Sequence, residues 1–239
     1  MIAAGCTIDC VIEQRTSRDV RGWRPQEFGK SNTRDIPDPL IEPLWIGQRV
    51  LVHMDGADLE IFDAAGEPVT EGIDAIAREL RAALRARSLV LDGYLTHQAT
   101  AEPPAVPIGQ IAPLSAGEMA TQMLIGRRSG RNGLAEEARA AAAAEASDSP
   151  LAFVAIDLLL IDGTPLLSVP LLERKRLLES AVEVTELVRL GAYVRPPVDS
   201  WLGTWRALGF ISIAFKAANS RYEPGARNDG WAIARIPSR

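Results

Sequence analysis

The sequence predicts an α+β fold built mostly from antiparallel sheets. Residues 48–54 and 58–63 read as two strands joined by Asp55-Gly56, a residue pair that favours a β-hairpin turn. A second apolar run, 151–161, reads as a buried strand that ends at the turn Asp162-Gly163. Over 73–87, apolar residues recur every three or four positions, which indicates an amphipathic helix. Interleaved hairpins and helices favour an α+β class.

The remaining segments extend this pattern along the chain. Prolines interrupt residues 1–39, which predict an irregular lead-in with one short strand at 7–12, followed by one domain over 40–239. Within that domain, 98–148 predicts a loop and surface-helix segment. The other expected elements are strands at 88–95 (broken at Asp92-Gly93), 184–190, 192–194, 211–216 and 230–236, and helices at 115–124, 134–146, 171–180 and 200–208. We expect helix 171–180 to expose Glu173, Arg174, Lys175 and Arg176, and helix 200–208 to bury Trp201 and Trp205.

Composition and charge limit the classes of function. The chain has 239 residues, of which 47% are apolar, and the run 151–161 is too short to cross a bilayer. Its start lacks the features of a signal peptide, so we expect a cytoplasmic protein without membrane contact. The formal net charge of −5 differs from the basic balance of proteins that bind DNA through its phosphates, so DNA binding by the chain alone is expected to be weak or absent. Cys6 and Cys10 lack companion ligands, and no metal site is predicted.

Several short motifs follow one another in a recognisable order. Residues 42–49 read Glu-Pro-Leu-Trp-Ile-Gly-Gln-Arg and precede the first hairpin. The later landmarks are the strand and turn 59–70, Asp-Gly-Tyr at 92–94, the strand 153–159 with 170–178, the strand end 209–216 with 220–225, and 231–235. This order resembles the adenylation domain of ATP-dependent DNA ligases over roughly residues 40–236. The resemblance implies an ATP-grasp-like fold of mostly antiparallel sheets flanked by helices.

The resemblance also implies a chemistry that several residues here cannot perform. The family uses a lysine amine to attack the α-phosphate of ATP, and Leu44 at that position has no lone pair. Family carboxylates that hold a divalent cation correspond to Tyr94 and Ile211. The other replaced positions are Ile46 for an aspartate, Ala64 for an arginine that contacts the sugar, Ile156 for an aromatic residue that stacks on adenine, and Ile233 for a lysine. Four of the replacements, Leu44, Ile46, Ile156 and Ile211, are apolar, so simple core packing is the simplest interpretation of them.

Several polar residues keep the family pattern. Arg49, Lys216 and Arg235 match positions where the family places cations near phosphates, and Glu42 and Asp92 match adjacent positions. Glu42, Arg49, Lys216 and Arg235 are the candidate nucleotide or phosphate contacts. For Lys216, a role in binding phosphate and a position as an exposed lysine at the end of a strand are equally supported alternatives. For Arg49, an ion pair with an Asp or Glu is the favoured interpretation. The chain has only three lysines, Lys30, Lys175 and Lys216, so few amines are available as a nucleophile. The basic loop 127–133 is expected to be a solvated loop rather than a nucleic-acid contact.

These observations favour a ligase-like protein that is inactive in adenylation and acts by binding a protein partner or a nucleotide. Its ancestry connects it to DNA repair and recombination. Two alternatives stay open: an active nucleotidyltransferase with Lys216 or Lys30 as a relocated nucleophile, and a purely structural or assembly protein. No cofactor is expected under the first hypothesis, whereas ATP and Mg²⁺ are implied by the second. Because the residues end shortly after the last motif, no OB-fold domain is expected.

Overall fold

The computed structural model describes residues 17–100 and 149–237, which form mostly antiparallel sheets flanked by helices, as predicted. The helices are α1 Asp74–Ala83, α2 Leu171–Ala181 and α3 Asp199–Ala207. The strands are β1 Glu27–Phe28, β2 Pro39–Pro43, β3 Gln48–Asp55, β4 Asp58–Asp63, β5 Ser88–Thr96, β6 Ala152–Ile161, β7 Thr164–Pro165, β8 Val188–Leu190, β9 Ser212–Ala217, β10 Arg227–Asn228 and β11 Trp231–Arg235. The predicted strand 7–12, the helices 115–124 and 134–146, the loop 127–133 and both cysteines lie outside the described residues. None of the described helices is long and apolar enough to span a membrane.

The central sheet contains the elements that the sequence predicted most directly. Strands β3 and β4 form the expected hairpin, and β3 also pairs antiparallel with β5, which pairs with β6. Strand β6 carries β7 and the parallel β8 on its other edge. Helices α1 and α2 cover one face of this sheet through an apolar cluster that includes Leu80, Leu178 and Phe153. The other face is directed towards the residues of the candidate site.

A second, three-stranded sheet lies beside the first, in the order β11-β9-β2. Helix α3 covers one of its faces with Leu202 and Trp205, which pack against Ile213 and Phe215 of β9. Trp205 is buried as expected, but the prediction for Trp201 is wrong, because its side chain is 44% exposed at the outer side of α3. The other face of this sheet is directed towards the central sheet, and it carries Glu42 and Lys216.

Some predicted boundaries differ from the structure for identifiable reasons. Strand β5 is continuous through Asp92-Gly93, where a break in the strand was expected. A Cβ on Gly93 would lie only 2.4 Å from the carbonyl oxygen of Val154, so this glycine permits close approach to β6 rather than a turn. Helix α1 stops at Ala83, because Leu84 adopts an extended conformation and pairs with Val182. The segment 192–194 is not a strand and forms only one bridge, between Val194 and Ile41.

Residues 17–39 of the predicted lead-in pack against both sheets. Ser17–Val20 forms a short 3₁₀ turn that contacts β3 and β5. Strand β1 pairs with β10, and the buried Gln26 donates its backbone N–H to the Tyr222 hydroxyl at 2.9 Å. The start of the chain therefore contributes side chains and hydrogen bonds to the region between the sheets.

We predict that the α1 contact with the central sheet dominates the stability of this half of the molecule. Replacing the fully buried Leu80 by alanine removes apolar contacts and leaves a cavity, so the free energy of unfolding should fall by about 2–5 kcal/mol. The matched control is Arg78→Ala, at an exposed position of the same helix, which should change that free energy by less than about 0.5 kcal/mol. Urea unfolding followed by circular dichroism measures both variants. An equal fall in the free energy of unfolding for Leu80→Ala and Arg78→Ala would contradict a dominant contribution from the contact between α1 and the central sheet.

Candidate functional site

The two strands that carry the first and later motifs lie side by side in the small sheet. Strands β2 and β9 are antiparallel, with Glu42 opposite Ala214 and Leu40 opposite Lys216. Side chains two residues apart on a strand share a face, so Glu42 and Lys216 point to the same side of the sheet. Leu44, at the position of the family nucleophile, follows β2 directly and donates its N–H to the Ser212 carbonyl at 2.9 Å. The fold therefore places Glu42 and Lys216 on one face of the small sheet, with Leu44 directly after β2 beside Ser212.

Glu42 lies between two buried lysines, and we call Glu42, Lys175 and Lys216 the lysine–glutamate cluster. The Lys216 Nζ donates a hydrogen bond to one Glu42 carboxylate oxygen at 2.8 Å. The Lys175 Nζ lies 2.8 Å from the other oxygen, at ion-pair distance but without an aligned hydrogen bond among the described residues. Each ammonium group also lies over an aromatic ring, Lys216 over Trp231 at 4.3 Å and Lys175 over Tyr193 at 5.4 Å.

The charges within this cluster do not cancel. Both lysines are 1% exposed and Glu42 is 4% exposed, so two cations share one anion away from solvent. Burial opposes ionisation of Glu42, but the attraction of Lys175 and Lys216 outweighs it and holds the pKa of the carboxyl below its ordinary value. Burial lowers the pKa of Lys175, and the like charge of Lys216 acts in the same direction. Lys175 therefore loses its proton more readily than an exposed lysine would.

The expected exposure of Arg174 and Lys175 is wrong. The backbone N–H groups of Leu171 and Leu172 bind the carbonyls of Ser220 and Ala218, which fixes the first turn of α2 on the chain that follows β9. This placement directs Arg174 and Lys175 towards the sheets, where both are buried. In contrast, Glu173 and Arg176 form an exposed ion pair at 2.6 Å, as expected.

Arg174 and Asp157 form a fully buried bidentate ion pair. The Nε and Nη2 atoms of Arg174 donate to the two carboxylate oxygens of Asp157, both at 2.8 Å. The remaining Nη1 donates to the carbonyls of Val169 and Ser220 at 2.5 and 3.2 Å. This pairing satisfies both charged groups and joins helix α2 to strand β6.

A second polar group, formed by Arg49, Asp92, Tyr94 and Tyr222, lies on the central sheet; we call it the arginine–aspartate network. Arg49 donates to both Asp92 carboxylate oxygens, at 2.5 and 2.6 Å, and to the Tyr94 hydroxyl at 3.0 Å. Tyr222 donates its hydroxyl to Asp92 at 2.7 Å. Burial, the nearby Asp92 charge and this hydrogen bond raise the pKa of Tyr222 well above its ordinary range, so its hydroxyl keeps the proton that it donates. The favoured sequence interpretation of Arg49, an ion pair with an acidic residue, agrees with this geometry.

Apolar side chains surround the position of the missing nucleophile. Tyr94, Val154 and Ile156 form a buried cluster, and Leu44 and Trp45 pack against it. Tyr94 replaces a family carboxylate, and Ile156 replaces the aromatic residue expected against adenine. Both belong to the apolar cluster against which Leu44 packs. Core packing therefore accounts for three of the altered positions together.

The other singled-out residues lie farther from the lysine–glutamate cluster or remain partly exposed. Ile46 and Ile211 are partly buried; the Ile46 backbone binds Gln98 and Thr96, and the Ile211 carbonyl accepts from Ile236. Ala64 is exposed in the turn after β4, and Lys30 is exposed as well. Arg235 lies at the end of β11, opposite Ser212, and is partly exposed. Within residues 17–100 and 149–237, no three His, Cys, Asp or Glu side chains are grouped in a way that could hold a metal ion.

The sequence interpretation missed four residues of the site: Lys175, Arg174, Asp157 and Tyr222. One signal was present in the sequence of α2. Leu171 and Leu178 are seven residues apart and share one helical face, and positions 174 and 175 lie between them on that face. Their charge favoured an exposed interpretation, and the buried acids that pair with them are distant in sequence.

We predict that the surplus positive charge makes the cluster tolerate the loss of a lysine better than the loss of its carboxylate. Glu42→Gln leaves two buried ammonium groups without an anion and should lower the free energy of unfolding by about 3–5 kcal/mol. Lys175→Met keeps a similar volume and leaves the Lys216–Glu42 pair intact, so the change should stay below about 1.5 kcal/mol. Urea unfolding of both variants measures the difference. A larger fall in the free energy of unfolding for Lys175→Met than for Glu42→Gln would contradict a surplus of positive charge in the cluster.

The lysine–glutamate cluster and the arginine–aspartate network lie within a region that matches a known family. The family model of the ATP dependent DNA ligase domain matches residues 31–232. A DNA ligase of Thermococcus fumicolans is 28% identical over 189 residues, which cover 77% of this chain and 30% of that protein. DNA ligase 1 of Methanosarcina mazei is 26% identical over 223 residues, covering 91% of this chain and 36% of that protein. The chain therefore spans about a third of the length of these curated relatives.

Solved structures show the same fold. The ligase domain of LigD from M. tuberculosis superposes with a TM-score of 0.58 and 23% identity, covering 90% of this chain and 60% of that chain. A mycobacterial DNA ligase D complexed with ATP and MES gives a TM-score of 0.57 and 22% identity, covering 88% and 59%. The order of the motifs, the two facing sheets and the extent of the family match lead to one conclusion: this chain belongs to the ATP-dependent DNA ligase domain family.

Proposed function

We propose that this domain no longer forms a covalent adenylate and that it acts as a non-catalytic binding domain associated with DNA repair or recombination. The observation that carries this proposal is the environment of Leu44. A ligase adenylation step needs an amine at that position to attack the α-phosphate of ATP. Here the position holds an alkyl side chain that packs against Tyr94, Val154 and Ile156.

The polar residues that keep the family pattern also support a loss of adenylation. Lys216 and Glu42 bind each other, and Arg49 donates its Nε and Nη2 hydrogens to the two carboxylate oxygens of Asp92. A phosphate would have to separate these buried pairs, and each would lose well-aligned charged hydrogen bonds. Arg235, which is partly exposed, is the remaining candidate contact at the surface. Of the two kinds of ligand considered, a protein partner is therefore favoured over a nucleotide or phosphate.

A second candidate function rests on the unusual state of Lys175. Its amine is buried, its pKa is lowered by burial, and it belongs to the same group as Glu42 and Lys216. A deprotonated lysine amine is the chemical species that attacks a phosphate. An active nucleotidyltransferase with a relocated nucleophile would use Lys175 or Lys216 under this alternative, whereas Lys30 lies at the exposed surface.

A covalent-labelling experiment tests the proposal. Incubation of the purified chain with α-labelled ATP and Mg²⁺, followed by a denaturing gel, should give no labelled protein. An active ATP-dependent DNA ligase treated in parallel provides the positive control. A labelled band in the wild-type chain that disappears in Lys175→Met or Lys216→Met would overturn the proposal and support the relocated nucleophile.

We further predict that restoring the missing lysine alone does not restore the reaction. Leu44→Lys should remain unlabelled in the same assay, because Tyr94 and Ile211 supply no carboxylates for a divalent cation and Ile156 offers no aromatic face for adenine. Circular dichroism should confirm that the variant is folded. Adduct formation by folded Leu44→Lys would show that the nucleotide site is otherwise intact.

A further inference from the structure

A short segment before the family match lies across the central sheet, and we call residues 17–24 the N-terminal strap. Val20 packs with Leu51 of β3 and Val90 of β5 in one apolar cluster. Ser17 and Val20 are each 2% exposed, so the strap is seated in the fold rather than on its surface. The strap therefore covers apolar side chains that solvent would otherwise reach.

A buried histidine holds the first residue of the strap. His53 is 2% exposed on β3, and its Nδ1 lies 3.0 Å from the Ser17 carbonyl oxygen. A carbonyl only accepts, so Nδ1 must carry the proton in this contact. The Nε2 atom is buried and has no hydrogen-bond partner among the described residues, which fits the unprotonated nitrogen of a neutral ring. A second proton on this ring would place an N–H where no described acceptor is available.

The charged groups around His53 do not favour its protonation strongly. Glu60 lies opposite His53 on β4, but its carboxylate is already ion-paired with Arg21 of the strap. Arg21 and Arg24 both approach from the strap and oppose a positive ring, and β5 presents the uncharged Val90. Burial is the largest cause that lowers the pKa of His53, and the Ser17 carbonyl only partly offsets it.

The strap makes other contacts along its length. Trp23 packs against the same apolar cluster, and Arg24 donates to the Ala65 carbonyl at 3.0 Å and accepts from the Gly225 N–H at 2.9 Å. Towards its start, Arg18–Asp58 and Arg21–Glu60 are exposed ion pairs, which contribute about 0–1 kcal/mol each. Beyond its end, Gln26 is buried and is bound to Tyr222 and Glu223. Release of the Ser17 end would therefore leave the chain anchored at Gln26.

We propose that the N-terminal strap is a proton-released segment, held on the central sheet by the neutral form of His53 and freed when that ring is protonated. When the strap opens, the ring reaches water and returns to its ordinary pKa of about 6.5. Because the closed form binds the proton less tightly than the open form, protonation favours the open form. The strap is therefore closed above about pH 6.5 and opens increasingly as the pH falls below it. Opening exposes Leu51 and Val90, an apolar strip on the central sheet.

Hydrogen exchange followed by mass spectrometry tests this on the intact chain. Rates for peptides covering residues 17–24 are compared at pH 7.5 and 5.5 after correction for intrinsic exchange. If opening is linked to one proton that binds His53 with a pKa near 6.5 in the open form, the equilibrium constant for opening rises by up to about tenfold from pH 7.5 to pH 5.5. Peptides from β9 provide an internal reference and should show no such change.

The chain contains only two histidines, which gives a matched control. His53→Gln can still donate to the Ser17 carbonyl but does not titrate, so its strap should exchange at the same corrected rate at both pH values. His97→Gln, at a partly buried position that contacts Ser149, should behave as the wild type. A strap that exchanges equally at both pH values in the wild type, or a pH dependence that persists in His53→Gln, would overturn the proposal.

A measurement on the wild-type chain covers the case in which His53→Gln does not fold. Proton NMR follows the two histidine rings through the same pH range. The His53 ring should titrate together with the increase in strap exchange. Titration of that ring without any change in the strap would also overturn the proposal.

Discussion

A single buried carboxylate, Glu42, links the small sheet to helix α2. It is the shared anion of Lys216 from β9 and Lys175 from α2, both at 2.8 Å. Buried charges are tolerated only when they are paired, so the small sheet and helix α2 must remain close enough for this contact. Arg174, next to Lys175, binds Asp157 of β6 and so fixes the same helix to the central sheet. Paired charges, as well as apolar packing, therefore position the elements around the candidate site.

The altered residues of the site form a consistent set when their contacts are considered. Leu44 and Ile156 pack together with Tyr94, and the Tyr94 hydroxyl accepts a hydrogen bond from Arg49. Arg49 in turn has its charge neutralised by Asp92. In a nucleotide-binding site, such groups would be held ready for an absent ligand. Here Arg49, Asp92 and Tyr94 satisfy one another, so these buried polar groups are paired without a ligand.

The sequence predicted those parts of the fold that depend on local patterns. The hairpin at Asp55-Gly56 and the apolar strand β6 follow from turn chemistry and from the run of apolar residues, and the structure confirms both. For Arg174 and Lys175, the face that they share with Leu171 and Leu178 was a local sign of burial, but it did not identify their partners Asp157 and Glu42, which lie on other elements. Gly93 shows the same limitation, since its role depends on the approach of β6. The order of the motifs indicated the family correctly, whereas the contacts between those motifs emerged only from the three-dimensional arrangement.

The central proposal is that the polar residues of the candidate site bind each other instead of a nucleotide. Calorimetric unfolding with and without millimolar ATP and Mg²⁺ tests this directly, because a ligand that binds only the folded state stabilises it by about 2.7 kcal/mol at a hundred times its Kd. We predict that Tm does not change with ATP in the wild-type chain. A rise in Tm that increases with ATP concentration and disappears in Lys216→Met would contradict the claim.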